Sequence, residues 1–133
     1  MKSALLLFAA VLLSGCAAGH LYPVQGPLSA QTPVPSFKVS MDNADAISTR
    51  LPGGKLCRGT WLDVAQGDPT ARDMSDAWDL VYGKGFFLAN VLGKITVARA
   101  ILSCSNDMKV TVEFNTTKGV AKDTNGDVFR LTF

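Results

Sequence analysis

The chain opens with a segment that a folded domain has no use for. Lys2 gives a short cationic start, and Ala4 to Leu13 is an unbroken apolar run of ten residues. That is about half of what a helix needs to cross a bilayer core of roughly 30 Å. A run of this length is the core of a signal peptide rather than a lasting span. Leu13-Ser14-Gly15-Cys16 follows at once and has the arrangement of a bacterial lipobox. Small residues at 14 and 15 let a peptidase approach the backbone, and the Cys16 thiol accepts a diacylglyceryl group. Ordinary secretory cleavage near Ala18 is the alternative. The order of apolar core, small residues and cysteine favours lipidation at Cys16.

Residues 1–15 are therefore expected to be removed, leaving 118 residues with 12 basic and 11 acidic side chains. Two or more acyl chains hold a protein stably at a bilayer, each buried methylene contributing about 0.8 kcal/mol. Ala17 follows the cysteine, not the aspartate that, in Gram-negative lipoprotein sorting, keeps a protein in the inner membrane. By that resemblance the chain is expected at the outer membrane, on its periplasmic face. The cations are scattered through a nearly neutral chain, so nothing marks a phosphate-binding footprint and nucleic acid is discarded as a partner.

From 16 to 36 the chain carries four of its six prolines and no charged side chain. This is linker composition, and some twenty such residues reach about 60 Å when polyproline-like. Residues 16–36 are thus expected to be a lipid-anchored tether, and residues 37–133 a small periplasmic domain. Its 97 residues are enough to fold alone with limited stability. Cys57 and Cys104 are the remaining thiols, and the periplasm is oxidising. A bridge between them is expected, two separately buried cysteines being the alternative.

Phe37, Val39 and Met41 alternate with polar neighbours as in a half-buried strand. Two β-compatible runs, Ala46 to Leu51 and Lys55 to Asp63, flank Pro52-Gly53-Gly54 and predict a hairpin. Asp68-Pro69-Thr70 offers helix-start chemistry, Met74, Trp78, Val81 and Tyr82 recur at helical spacing, and Gly83 supplies a stop, which predicts a helix over about 70–82. The apolar run from Gly85 to Gly93 fits either a strand or a short helix. Four further segments, Lys94 to Ser103, Lys109 to Asn115, Lys118 to Asp123 and Val128 to Phe133, read as an antiparallel meander, with Asn125-Gly126 predicting a type I′ turn in the last hairpin. The expected fold is α+β and mainly β: an antiparallel sheet of about six strands with one packed helix, Trp78 and Phe86-Phe87 filling the contact. A membrane-spanning barrel is disfavoured, because 97 residues barely supply eight spanning strands and a helix interrupts them.

The catalytic inventory is poor. His20 is the one histidine and lies four residues from the anchor, so a nucleophile paired with histidine is not expected. A zinc site lacks ligands, and no metal or cofactor is expected. Asp73, Asp76 and Asp79 recur at every third residue and imitate an acid/base pair; a solvated helix face, with Arg72 four residues before Asp76, explains them better. Glu113 is expected to point outward from its strand. Arg99 breaks an apolar alternation, as a buried pair partner or a ligand contact, edge exposure being the commoner explanation. Asp123 to Asp127 superficially resembles a calcium loop, but glycine at the sixth position and glutamate at the twelfth are missing.

Several segments together resemble a group of small proteobacterial lipoproteins: Gly19-His20-Leu21-Tyr22-Pro23-Val24-Gln25-Gly26-Pro27-Leu28, Cys57-Arg58-Gly59-Thr60-Trp61, Trp78 to Phe86, and Gly119-Val120-Ala121-Lys122-Asp123 with Gly126-Asp127-Val128-Phe129. The resemblance implies a lipid-anchored protein with a shared domain and carries no activity with it. The expected role is a binding or scaffolding module in the cell envelope. It would be held to the membrane by its N-terminal lipid and contact an envelope protein or the peptidoglycan. The alternatives are a small periplasmic hydrolase using aspartates such as Asp73 and Asp76, or an inhibitor of a hydrolase.

Overall fold

A computed structural model of the chain describes residues 17–42, 45–52, 55–63, 73–92 and 97–133. The strands are β1 (Ala17–Gln25), β2 (Phe37–Met41), β3 (Ala46–Leu51), β4 (Lys55–Asp63), β5 (Ala98–Cys104), β6 (Lys109–Phe114), β7 (Gly119–Asp123) and β8 (Val128–Thr132). Helices α1 (Ser75–Tyr82) and α2 (Phe86–Asn90) lie between β4 and β5. Every strand pairs antiparallel with the next, and β8 pairs with β1, so the sheet closes on itself as an eight-stranded barrel. The expected open sheet of about six strands with one helix is corrected on both counts, since the wall is a closed ring and, among the described residues, two short helices accompany it.

The closing strand comes from the segment whose composition suggests a tether. Residues 17–36 hold β1 and a 3-10 turn at Pro27–Ala30 instead of a free linker. Gly19, Leu21 and Pro23 turn inward and are buried, while Ala18, His20, Tyr22 and Val24 are exposed, which is the two-residue period of a strand with glycine and proline in apolar positions. Pro23 lies past Leu21, where pairing with β2 ends, and next to a bulge between Pro23 and Gln25. At such a place a missing N–H costs the ladder little. Gly26, at φ 98°, ends the strand, and a Cβ on it would stand 2.6 Å from the Gly126 carbonyl oxygen. Only glycine lets the 3-10 turn dock against the β7–β8 turn.

Eight strands leave an interior that side chains can fill. Leu21, Val39, Ile47, Leu102, Val110, Val112, Phe129 and Leu131 fill it, none more than 2 % exposed. Lys38, Ser40, Arg50, Arg58, Ser103 and Lys109 face outward and are exposed. Apolar inside and polar outside is the reverse of a barrel that spans a membrane. Cys57 and Cys104 are direct partners across β4 and β5 and form a disulfide. At a sequence separation of 47, the bridge contributes about 4 kcal/mol in the loop-closure account.

The helices cover part of the outer wall. Met74, Ala77, Trp78, Phe87 and Val91 pack with Val97, Val120 and Val128 in a second apolar cluster. Trp78 is fully buried, stacked on Phe86 at 5.8 Å between ring centroids. The sequence places Trp78 and the phenylalanines at the helix–sheet contact; the run after Gly85, open to either structure, is helical. Gly83, at φ 118°, ends α1 as expected. The Asp68-Pro69-Thr70 start signal, Arg72 and the two turn glycines Gly53 and Gly54 lie outside the described residues. The last hairpin differs from the type I′ expectation, because Gly126 has positive φ (90°) and Asn125 does not. Its turn is closed by the Asp123 carboxylate, which accepts the N–H groups of Asn125 and Asp127 at 2.9 Å each.

Candidate ligand-binding face

The outer wall of β2, β3 and β4 carries a recess among the described residues. Period-two alternation turns Lys38 and Ser40 outward on β2, Ser48 and Arg50 on β3, and Arg58 and Thr60 on β4. Register then aligns them: Ser40 stands opposite Ser48, Ser48 opposite Arg58, and Arg58 opposite Ser103 of β5. The recess, of about 350 Å³, is lined by Ser40, Asp42, Ala46, Ser48, Arg58 and Thr60 among others. A second, of about 250 Å³, shares Ser40 and Ser48 and adds Lys38, Arg50 and Leu56. Together they make a trough floored by hydroxyls and flanked by three cations. Asp42 is the single carboxylate in its lining, and it also accepts the Ala46 N–H at 3.1 Å to shape the β2–β3 turn. Hydroxyls and cations in such rows suit a ligand that bears both hydroxyl and carboxylate groups.

The polar residues under the helices serve the fold. Glu113 points outward from β6, as expected of its position, but is 1 % exposed because α1 lies over it. It accepts Trp78 Nε1–H at 2.8 Å on one oxygen, and Arg99 Nε–H and an Arg99 terminal N–H at 3.1 and 3.0 Å on the other. Arg99 is thus the buried pair partner rather than an edge residue. Burial pushes the Glu113 carboxyl above its usual value, and the Trp78 and Arg99 hydrogen bonds oppose that. The Tyr82 hydroxyl donates to the Gly119 carbonyl at 2.9 Å, and burial raises its pKa against that bond. These contacts pin α1 to the wall.

The aspartates with three-residue spacing do not converge. Asp76 pairs with Lys122 at 3.3 Å in solvent, Asp79 accepts the Phe87 N–H at 2.9 Å and so starts α2, and Asp73 is exposed. The contacts of Asp76 and Asp79 are those of a solvent-facing ion pair and a helix start.

The far mouth of the barrel holds a smaller recess of about 200 Å³, with Leu28, Leu51, Lys55, Met108, Asp123 and Asp127 in its lining. Asp127 is 2 % exposed and accepts the Leu28 N–H at 2.9 Å. Burial, with the neighbouring Asp127 carboxyl, pushes the Asp123 carboxyl up to about 6. These oxygens are taken up by backbone N–H groups, which is a turn-and-plug arrangement rather than a calcium loop. Among the described residues no group of three or more metal-ligating side chains converges.

Cys16 lies outside the described residues, one position before β1, and Cys57 and Cys104 are spent on the disulfide. The trough residues were individually legible as the polar half of each strand; nothing in the linear sequence signals that three strands bring them together. No family model matches the chain, and neither a curated protein nor a solved structure is significantly similar to it.

Proposed function

We propose that this chain is an outer-membrane lipoprotein, anchored through Cys16, whose barrel is a binding module for an anionic, hydroxyl-bearing component of the cell envelope, the peptidoglycan first among them. The observation that carries the ligand class is the trough of β2–β4, where Ser40, Ser48 and Thr60 stand beside Lys38, Arg50 and Arg58. Sugar hydroxyls match the serines and threonine, and stem-peptide carboxylates match the cations. Binding needs no nucleophile or general base, in keeping with three separated aspartates. The lipobox and the oxidised cysteine pair support a periplasmic location.

The test is co-sedimentation of the mature protein with purified sacculi, alongside in-cell crosslinking from a photoreactive residue at position 58. Wild type should pellet with sacculi, and Lys38→Ala with Arg58→Ala should weaken binding by at least about tenfold, as expected for two charge-assisted contacts. A barrel that stays in the supernatant while position 58 crosslinks to one abundant envelope protein would replace the wall ligand by a protein partner. Absence of both products would end the binding reading. Mass analysis of the N-terminal peptide from the native host tests the anchor separately.

A further inference from the structure

Ala17 is already in β1, so between the proposed lipidated residue and the barrel wall there is no spacer. The mouth of the barrel from which β1 starts also holds the ends of β4, β6 and β8, and an apolar rim gathers there. Phe133 follows β8 beside Gly19, where a Cβ would meet its ring at 3.4 Å. Its ring packs edge-on against Phe114 at 5.9 Å between centroids, and Phe114 against Trp61 at 5.9 Å. Trp61 and Phe114 are half-buried, Leu62 next to Trp61 is 75 % exposed, and Phe133 is 51 % exposed. Phe133 is thus bared on the aromatic cluster, and Leu62, opposite Arg99 on the outward side of β4, is bared on the adjoining outer wall. Lys118, in the turn after β6, is exposed on the same side; Asp42 and Asp45, in the turn after β2, are exposed across the mouth from it.

We propose that this rim is a membrane-contact surface: the barrel sits mouth-down on the bilayer that holds its lipid, with Leu62, Trp61, Phe114 and Phe133 in the headgroup and upper acyl layer. The occupant is a lipid surface because the anchor is attached at this mouth with no length of chain to hold it away. Aromatic rings belong at such an interface. This seating leaves Lys38, Arg50 and Leu56 of the trough on the flank of the barrel, away from the bilayer, and brings its Asp42, Ala46 and Thr60 end to the seated mouth. The inference rests on the anchor at Cys16 but not on the identity of the trough's ligand.

The experiment supplies the anchor chemically, so that it stands apart from lipidation in the host. With Cys57 and Cys104 bonded, Cys16 is the one free thiol of the chain from Cys16 onward. It is coupled to a maleimide lipid in vesicles of phosphatidylethanolamine and phosphatidylglycerol, with and without bromine on the acyl chains. Trp78 is fully buried under the helices, so contact quenching reads Trp61. Brominated lipid should quench its emission, and Leu62→Asp with Phe133→Asp should abolish the quenching while circular dichroism is unchanged. Both substitutions are at exposed positions, so the barrel keeps its fold. Equal emission from wild type in plain and brominated vesicles, or quenching that persists in the double variant, overturns the proposal. Should the barrel seat in this assay while Cys16 from the native host carries no lipid, the anchor is wrong and the rim stands.

Discussion

The barrel interior and the helix-covered patch on its outer wall are both apolar clusters, yet they are held in different ways. Inside, side chains from eight strands meet, with Thr49 the one buried polar side chain on those strands' inner face among the described residues, its hydroxyl donating to the Lys38 carbonyl at 2.9 Å. Every wall strand is bonded on both sides and a disulfide ties two of them. Outside, an eight-residue and a five-residue helix lie on one stretch of wall. Helices this short do not persist alone, so they are fixed by the Trp78–Glu113–Arg99 cluster and the Tyr82 hydroxyl. The interior depends on area removed from water, and the cover depends on a few directed bonds. A lesion in the first is therefore felt by the whole barrel, and a lesion in the second by the helices first.

The largest effect expected is from Phe129→Ala. Phe129 is fully buried, touches Phe37 edge-on at 6.3 Å between centroids, and lies opposite Pro23 and Ala121. Its truncation should cost about 3–5 kcal/mol, measured by denaturant unfolding, with helices and strands lost in one transition. A smaller but more selective loss is expected from Glu113→Ala, which removes the carboxylate that joins the Trp78 N–H to Arg99 under α1. Removing one partner of a buried pair costs about 3 kcal/mol. Hydrogen exchange should show residues 75–90 losing protection ahead of β2 and β3. Uniform loss across the chain would mean that the two clusters are one cooperative unit. Glu113→Gln, which still accepts from Trp78, should fall between wild type and Glu113→Ala.

The smallest effect concerns pH. The Asp123 carboxyl is raised from 3.8 to about 6 in the folded chain, so between those values the native state binds more protons than the unfolded one. The corresponding stability is full below the unfolded value and is lost as pH rises through about 6. Unfolding monitored from pH 7 to pH 5 should therefore show stability rising on acidification from this group. Asp123→Asn keeps an acceptor for the turn N–H groups, removes the charge facing Asp127, and should flatten that rise. An unchanged slope would place the proton elsewhere, with Glu113, also raised by burial, the first group to examine.

Much of the wall was legible residue by residue. The hairpin around Pro52, the strands from Lys109 onward and the helix stop at Gly83 follow from two-residue alternation, turn chemistry and glycine, all of which act over a few neighbours. β1 was not, because Gly19 and Pro23 stand where an apolar branched residue would announce an inward position. A barrel this narrow accepts glycine against β8, and proline is tolerated beside a bulge. Arg99 and Glu113 carried a hint in their positions opposite each other on β5 and β6, yet the same two residues on an uncovered sheet make an ordinary exposed pair.

What the sequence determines by itself is local: an apolar run of ten residues ahead of Cys16, the two-faced strands and the turns between them. Tertiary structure alone decides that the first strand meets the last, that α1 turns Glu113 from a surface acid into a buried acceptor, and that serines and cations from three strands form one trough. Closure and covering depend on registry between residues up to about a hundred positions apart, as where Leu28 donates to Asp127. No short-range preference encodes that registry; it is selected by the apolar area that only the closed wall removes from water.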